Sequence, residues 1–310
     1  MVLQEAMGHT PFALEAVRGE RTVGMLCLAY VQSRLFGRFL VSLPYLNSAG
    51  VFADDDAATA ALTEGAIGLA NDLEVRYLEL RHESAFEHPS LSHRRTDKVH
   101  MRLELPTTGA ALWEQIPAKV RNQIRKGQKS GFTAHWGGLE LLDDFYAVFS
   151  RNMRDLGTPT FGRGLFAAIL REFAGAAELC VLRDADRPIA GALMLNGQGV
   201  AEVPSASSLK EYNPTCANML LYWNLLERSA ERRLELFDFG RSSVDSPTFR
   251  FKKQWGATPS PAEWQYFLRE GTPGDMRKDN PKYRRFIAVW RRMPVGLTRW
   301  LGPVIVRGIP

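Results

Sequence analysis

Glu178-Leu179-Cys180-Val181-Leu182-Arg183-Asp184-Ala185-Asp186-Arg187-Pro188-Ile189-Ala190-Gly191-Ala192-Leu193-Met194-Leu195 is the stretch that decides the fold class. Two apolar runs of strand length flank Asp184-Ala185-Asp186-Arg187, and such a polar break between strands predicts a β-hairpin. Gly199 to Ser205 adds a third strand-like run, so the segment reads as a meander. After Asn213-Pro214, Met219, Trp223, Leu226 and Ala230 mark a long amphipathic helix, followed by strands at Leu236 to Phe239 and Ala262 to Leu268. Upstream lie a basic helix from Leu112 to Lys129, interrupted near Ile116-Pro117, and two helices marked by Leu142, Phe145, Phe149, Met153 and Leu156 and by Leu165, Ile169 and Phe173. The order is helices, meander, helix, two strands.

The N-terminal part repeats this order in shorter form. Phe12 to Leu43 is extended, with breaks at Gly19-Glu20 and Phe36-Gly37, which predicts a hairpin and a further strand. Asp54-Asp55-Asp56 offers capping carboxylates to a helix marked by Leu62, Ala66, Leu69 and Leu73, and a strand from Val75 to Leu80 follows it. Lys98 to Leu105 alternates, with Val99, Met101, Leu103 and Leu105 on the buried face and His100, Arg102 and Glu104 on the other, until Pro106 ends the strand.

Composition narrows the class. With 310 residues, 45% hydrophobic and 24% charged, the chain can fill one large or two modest cores. No apolar run approaches the roughly 20 residues of a spanning helix, and Met1 to Thr10 shows no basic region leading into an apolar one, so a cytoplasmic protein is expected. Cys27, Cys180 and Cys216 are far apart and read as reduced thiols. His82, His88 and His93 lack zinc-ligand spacing and read as surface histidines of a loop, so no metal is expected. Gly-x-Ser-x-Gly and Walker motifs are absent, which excludes those routes to hydrolysis. The net charge of +5 comes from the end of the chain, where Arg277 to Pro310 holds nine Lys or Arg against one Asp. Tyr283, Phe286, Ile287 and Trp290 share a helical face there, with Arg284, Arg285, Arg291 and Arg292 around it, and Trp300, Leu301, Val304 and Ile305 follow Pro294. Residues 277–310 are therefore expected either to bind an anionic membrane surface, making the protein peripheral on the inner membrane, or to pack on the protein or a partner.

Five stretches carry a family resemblance: Leu43-Pro44-Tyr45-Leu46-Asn47-Ser48-Ala49-Gly50, Lys119-Val120-Arg121-Asn122-Gln123-Ile124-Arg125-Lys126, Asn218-Met219-Leu220-Leu221-Tyr222-Trp223, Phe237-Asp238-Phe239-Gly240-Arg241-Ser242 and Thr248-Phe249-Arg250-Phe251-Lys252-Lys253-Gln254-Trp255-Gly256. Together, over roughly residues 12 to 268, the sequence resembles the FemAB family of peptidyl and aminoacyl transferases, especially its branch at exopolysaccharide and PEP-CTERM sorting loci. The resemblance implies an α+β fold of two tandem GNAT-like (acyl-CoA N-acyltransferase) domains with mixed central sheets, plus a basic amphipathic tail. The domains are expected at 1–108, 109–270 and 271–310. It also implies transfer of an acyl or aminoacyl group to an amine or hydroxyl of a peptidoglycan or exopolysaccharide precursor, in a cleft between the halves.

By that resemblance Phe251 walls the site and Lys252 steadies the oxyanion of acyl transfer, where a fixed cation can contribute on the order of 3 kcal/mol. The plainer reading makes Phe251-Lys252-Lys253 a strand end with solvated lysines. Arg241, placed just past the end of an apolar strand, could clamp a phosphate or carboxylate, with Asp238 as its structural partner or a weak base. Arg121, Arg125 and Lys129 fall at i, i+4 and i+8 beside Asn122 and Lys126, a stripe suited either to phosphate binding or to a solvated face. Tyr45, Asn47, Arg154 and Tyr212 complete the candidate acceptor contacts by analogy with relatives. No tightly bound cofactor is expected. Relatives that use tRNA often carry a helical hairpin that this sequence lacks, and Gly197-Gln198-Gly199 lies between two strands, unlike the phosphate-binding turn of acetyl-CoA enzymes. The donor thus stays open between acyl-CoA and aminoacyl-tRNA. The alternatives are an acyl-CoA-dependent N- or O-acetyltransferase of an exopolysaccharide sugar and a non-catalytic scaffold of a polysaccharide synthesis complex.

Overall fold

The computed structural model describes residues 1–270 and 284–309. Along the chain run α1 (Val2–Met7), β1 (Thr10–Arg18), β2 (Arg21–Ser33), β3 (Gly37–Val41), β4 (Phe52–Ala53), α2 (Asp56–Asp72), β5 (Tyr77–His82), β6 (His93–Arg95), β7 (Lys98–Glu104), α3 (Gly109–Gln115), α4 (Ala118–Gln128) and β8 (Thr133–Gly137). They are followed by α5 (Leu142–Leu156), α6 (Arg163–Glu172), β9 (Ala177–Asp184), β10 (Arg187–Gly197), β11 (Val200–Ser208), α7 (Ala217–Glu231), β12 (Leu236–Ser243), α8 (Pro247–Lys253), β13 (Thr258–Pro261), β14 (Glu263–Leu268), α9 (Arg284–Trp290) and α10 (Val295–Val306). The chain divides into two units, one formed by Met1–Val99 with 261–270, 284–287 and 303–309, the other by His100–Ser260 with Ala288–Gly302.

In the first unit the strands are ordered β1-β2-β3-β5-β14-β6, with β4 against β2. β1 and β2 form an antiparallel hairpin that turns at Gly19, whose φ of 64° suits a residue without a Cβ. After β3 the chain crosses over through α2 and returns in β5 parallel to β3. Asp55 caps α2 by accepting from the Ala58 N–H at 2.9 Å. Leu62, Ala66 and Ala70 of α2 are buried with Leu26, Leu28, Leu40, Leu78 and Leu80 of the sheet, which forms the core.

The second sheet runs β13-β7-β12-β11-β10-β9-β8. The β9–β10 hairpin turns between Asp184 and Arg187, as the opening stretch predicts, with Ala185 at φ 51°. Phe145 and Phe149 of α5 pack with Phe166 of α6 over Leu179, Val181 and Leu193. Helix α7 carries the crossover from β11 to its parallel neighbour β12. The fold is α+β with two mixed sheets.

Two strands change places relative to the expected boundaries at 108/109 and 270/271. Lys98–Glu104 (β7) belongs to the second sheet, and Glu263–Leu268 (β14) pairs antiparallel with β5 in the first. In β7 only Glu104, at the end of the strand, is exposed, so the strand does not keep one open face along its length. His100, expected on the open face, is fully buried, and Arg102 is partly so. His82 is also buried rather than superficial, at the end of a strand whose residues are all buried and with its ring edge-on to Phe86. The tail divides as well. Arg277, Lys278, Lys282 and Tyr283 lie outside the described residues, whereas Trp290 is 1% exposed and Arg299 donates from Nε to the Ser150 hydroxyl at 2.7 Å.

Candidate functional site in the second unit

The two parallel strands of the second sheet pair only at Val200↔Leu236, Ala201↔Phe237 and Glu202↔Asp238. Beyond these pairs β11 continues to Ser208 and β12 to Ser243, so the strands diverge into a wedge. Backbone N–H and C=O groups along a diverging edge lack ladder partners, and an extended amide-bearing group is a natural complement to them. Gly240 in this segment has φ 76°, a conformation that glycine adopts without strain.

Lys252 lies beside that edge. Ser246 caps α8 by accepting from the Phe249 N–H at 3.1 Å, and Pro247 occupies the first turn, where its missing N–H costs nothing. The helix directs Lys252 onto β12, where its ammonium donates to the carbonyls of Gly240 and Arg241, both at 3.0 Å. Lys252 is 8% exposed, so the strand-end reading fails on secondary structure, and its solvated lysine holds for the exposed Lys253 but not for Lys252. Phe251 meets Tyr222 edge-on at 5.0 Å between ring centroids, and its ring lies 6.4 Å from that of Trp255. Tyr222 in turn stacks on Phe239 at 5.6 Å. Burial in this aromatic group pushes the Tyr222 phenol up to about 12, which keeps it neutral.

Arg241 is within β12, which extends past the expected end at Phe239. Asp238 accepts from Arg102 Nε at 3.0 Å and from the Gly240 N–H at 2.6 Å, and His100 Nδ1 lies 3.8 Å away. The guanidinium that holds this carboxylate therefore comes from β7. Sequence reading missed Arg102 and His100 because alternation in β7 suggested an open face. It also missed Ser242, whose buried hydroxyl has no hydrogen-bond partner, as has the indole N–H of buried Trp255. Buried orphaned polar atoms are uncommon in folded proteins. Both follow from the two most specific sequence stretches, at 237–242 and 248–256.

The remaining candidates are more scattered. On α4, Arg121 pairs with Glu114 at 2.9 Å, while Arg125 bonds Asn122 at 3.2 Å and its guanidinium lies 5.2 Å from the Trp113 ring centroid. Lys126 is exposed. Arg154 holds Asp155 at 2.6 Å and the Met293 carbonyl at 2.8 Å, so it anchors the tail segment. The Tyr212 hydroxyl donates to Asp184 at 3.0 Å. Tyr45 and Asn47 are in the first unit: the Tyr45 hydroxyl bonds His9 Nε2 at 2.8 Å, and the Asn47 carbonyl accepts from the Trp264 indole at 3.3 Å. A separate pocket of about 360 Å³ is lined by Val148, Arg151, Arg187, Leu209, Val295 and Arg299, among others, and by none of the predicted site residues.

Residues 117–253 match the family model of the acetyltransferase (GNAT) domain. Among solved structures, FemX is similar in fold, with a TM-score of 0.64 at 16% identity over 86% of this chain and 91% of that one. The C-terminal domain of a putative lysylphosphatidylglycerol synthetase from Agrobacterium fabrum gives a TM-score of 0.59 at 12% identity, covering 88% and 86% of the two chains. A tandem GNAT protein from the clavulanic acid biosynthesis pathway gives 0.52 at 14% identity, covering 86% and 84%. No curated protein matches in sequence. The wedge, Lys252 and the aromatic group around Tyr222 all fall in or beside the stretch that matches the acetyltransferase (GNAT) domain model, in a GNAT-like chain whose fold is similar to those of FemX and a tandem GNAT protein.

Proposed function

We propose that the protein is an acyltransferase of the FemAB type, whose reacting centre is the wedge between β11 and β12. The observation that carries this reading is the position of Lys252: inside the matched GNAT residues, buried, with its charge fixed against the diverging edge of β12. In the proposed reaction an acceptor amine or hydroxyl adds to the donor's carbonyl carbon, and negative charge gathers on the carbonyl oxygen. The bond from that carbon to the donor's sulfur or oxygen then breaks, and the acceptor's proton leaves with the donor group or to solvent. A pre-positioned cation in a water-poor site stabilises the charged intermediate without reorganising during the step. Phe251, Tyr222 and Trp255 supply the apolar surroundings that strengthen this effect.

The donor is an acyl-CoA or an aminoacyl-tRNA. The acceptor is a cell-envelope precursor of the peptidoglycan or exopolysaccharide type, in line with the resemblance to the exopolysaccharide and PEP-CTERM-associated branch. Arg241 and the α4 cations Arg121, Arg125 and Lys126 are assigned to phosphate groups of the substrates, with Asp238 as the structural support of the β12 turn. Arg154 and Tyr212 are assigned to the acceptor.

The test is incubation of the full chain with acetyl-CoA or alanyl-tRNA, each with a nucleotide-linked muropeptide or a nucleotide sugar, read by mass spectrometry. Acyl mass added to an acceptor, lost in Lys252→Met while circular dichroism stays native, supports the reading. Acetylation confined to the nucleotide sugar selects the exopolysaccharide acetyltransferase. No product with any pair, from a natively folded wild-type chain, selects the non-catalytic scaffold.

A further inference from the structure

The C-terminal helices have two unlike sides. Trp290, Thr298 and Gly302 are buried, Arg299 reaches Ser150, and a Cβ at Gly302 would come within 2.8 Å of the Thr160 backbone. That side is fixed to the protein. On the other side, Leu297, Trp300 and Val304 follow one another at i, i+3 and i+7 along α10, a spacing that aligns them on a single helical face. All three are exposed, Trp300 at 72%, as is Val289 in α9. Arg285, Arg291 and Arg292 are exposed in the same segment. Large apolar side chains grouped in the open usually mark a contact surface.

Charge decides between occupants. A second copy meeting this face about a twofold axis would bring two patches of the same positive charge together, since the same patch is used by both copies. An anionic bilayer offers the opposite charge, and the indole of an interfacial tryptophan sits favourably at the headgroup level. No helix among the described residues is long and apolar enough to cross a membrane, so the contact would be superficial.

We propose that the exposed face of α10, with the exposed Arg291 and Arg292 that shortly precede the helix in the chain, docks on the surface of a membrane rich in anionic lipid. This surface is independent of the wedge and of whether the protein transfers acyl groups. Each cation near such a surface strengthens binding about fivefold, and the apolar side chains add to it by entering the interface.

The experiment is sedimentation of the full chain with vesicles of phosphatidylcholine alone or with about one third phosphatidylglycerol. Wild type is expected to pellet with the mixed vesicles and to partition at least about tenfold less onto phosphatidylcholine. Trp300→Ala and Arg292→Glu are each expected to weaken partition about fivefold or more while leaving the thermal melt unchanged, because both side chains are exposed. Equal pelleting with the two vesicle types, or a Trp300→Ala variant that pellets like wild type, overturns the proposal. So does a doubled solution mass that Trp300→Ala abolishes, which would give the face to a second copy.

Discussion

Each sheet contains a parallel pair joined by a helical crossover, β3 and β5 through α2, β11 and β12 through α7, and the two pairs end differently. Both begin with three paired residues, Phe39↔Tyr77 to Val41↔Glu79 in one and Val200↔Leu236 to Glu202↔Asp238 in the other. In the first unit the chain after β3 stays attached to β5. The Ser42 N–H donates to the Glu79 carbonyl and the Arg81 N–H to the Ser42 hydroxyl, while the Arg81 guanidinium reaches the Leu46 carbonyl at 2.7 Å and the Ala49 N–H donates to the Arg81 carbonyl at 2.9 Å. A Cβ at Gly50, the next residue, would meet the His82 ring. In the second unit β11 and β12 separate, and a lysine rather than the chain itself takes the Gly240 and Arg241 carbonyls. The same topology is thus closed in one unit by the chain that follows β3 and left unclosed in the other. Fold alone does not assign activity to either sheet; the way the pair ends distinguishes them.

The largest expected effect comes from unsealing the first pair. Arg81 is 3% exposed, bonds Glu79 at 2.7 Å and lies 4.1 Å from the Trp264 ring centroid. Arg81→Ala leaves Glu79 buried without its guanidinium partner and should cost about 3–5 kcal/mol in urea unfolding. A loss below about 1 kcal/mol would show that the seal contributes little.

Acid should weaken the first unit next. Burial holds His82 at about 4, and burial together with Arg307 holds His9 at about 4, against 6.5 for a free histidine. Between those values the unfolded chain binds protons that the folded one refuses, so stability is full above pH 6.5 and falls as pH drops towards 4. Each histidine accounts for up to about 3 kcal/mol at the acid limit. Denaturant midpoints at neutral pH and at mildly acidic pH measure the slope.

Gly50→Ala tests the seal sterically. The new Cβ would sit 2.2 Å from His82 Nδ1, and displacing a buried ring should cost about 1–3 kcal/mol by thermal melt. On the open pair, Lys252→Met strands two β12 carbonyls and should cost about 1–2 kcal/mol, with a turnover loss of about a hundredfold or more. Lys252→Arg should keep part of both. Smallest in stability is Ser242→Ala: removing a hydroxyl that has no partner should leave the melt within about 0.5 kcal/mol of wild type, so a drop in turnover would tie Ser242 to bound substrate.

Local chemistry explains how far the sequence could be read. Asp55 ahead of α2, the polar break at 184–187 and the apolar periodicity of α5 to α7 are short-range signals, and each element forms where its residues favour it. Sheet membership is long-range. Nothing within Lys98–Glu104 or Glu263–Leu268 says which sheet the strand completes, since alternation reports burial and not partner. Helix α8 did carry a local mark, Ser246-Pro247, but the alternation of Phe249, Arg250, Phe251 and Lys252 imitates a strand end. At the site, the specific stretches 237–242 and 248–256 could be picked out. That Lys252 bonds β12 carbonyls, and that Arg102 rather than a neighbour in sequence supports Asp238, depends on contacts between distant residues.

The exchange of β7 and β14 also bears on synthesis. A nascent chain emerging from the ribosome can assemble β1, β2, β3, α2 and β5 early, yet β5 keeps one edge bare until Leu268 has been translated, when most of the polypeptide already exists. That edge is the side on which β5 eventually receives β14. Premature termination between Ser243 and Glu263 would therefore release a fragment with a complete wedge strand but an open first sheet, a species prone to stick to other nascent chains and dependent on chaperones.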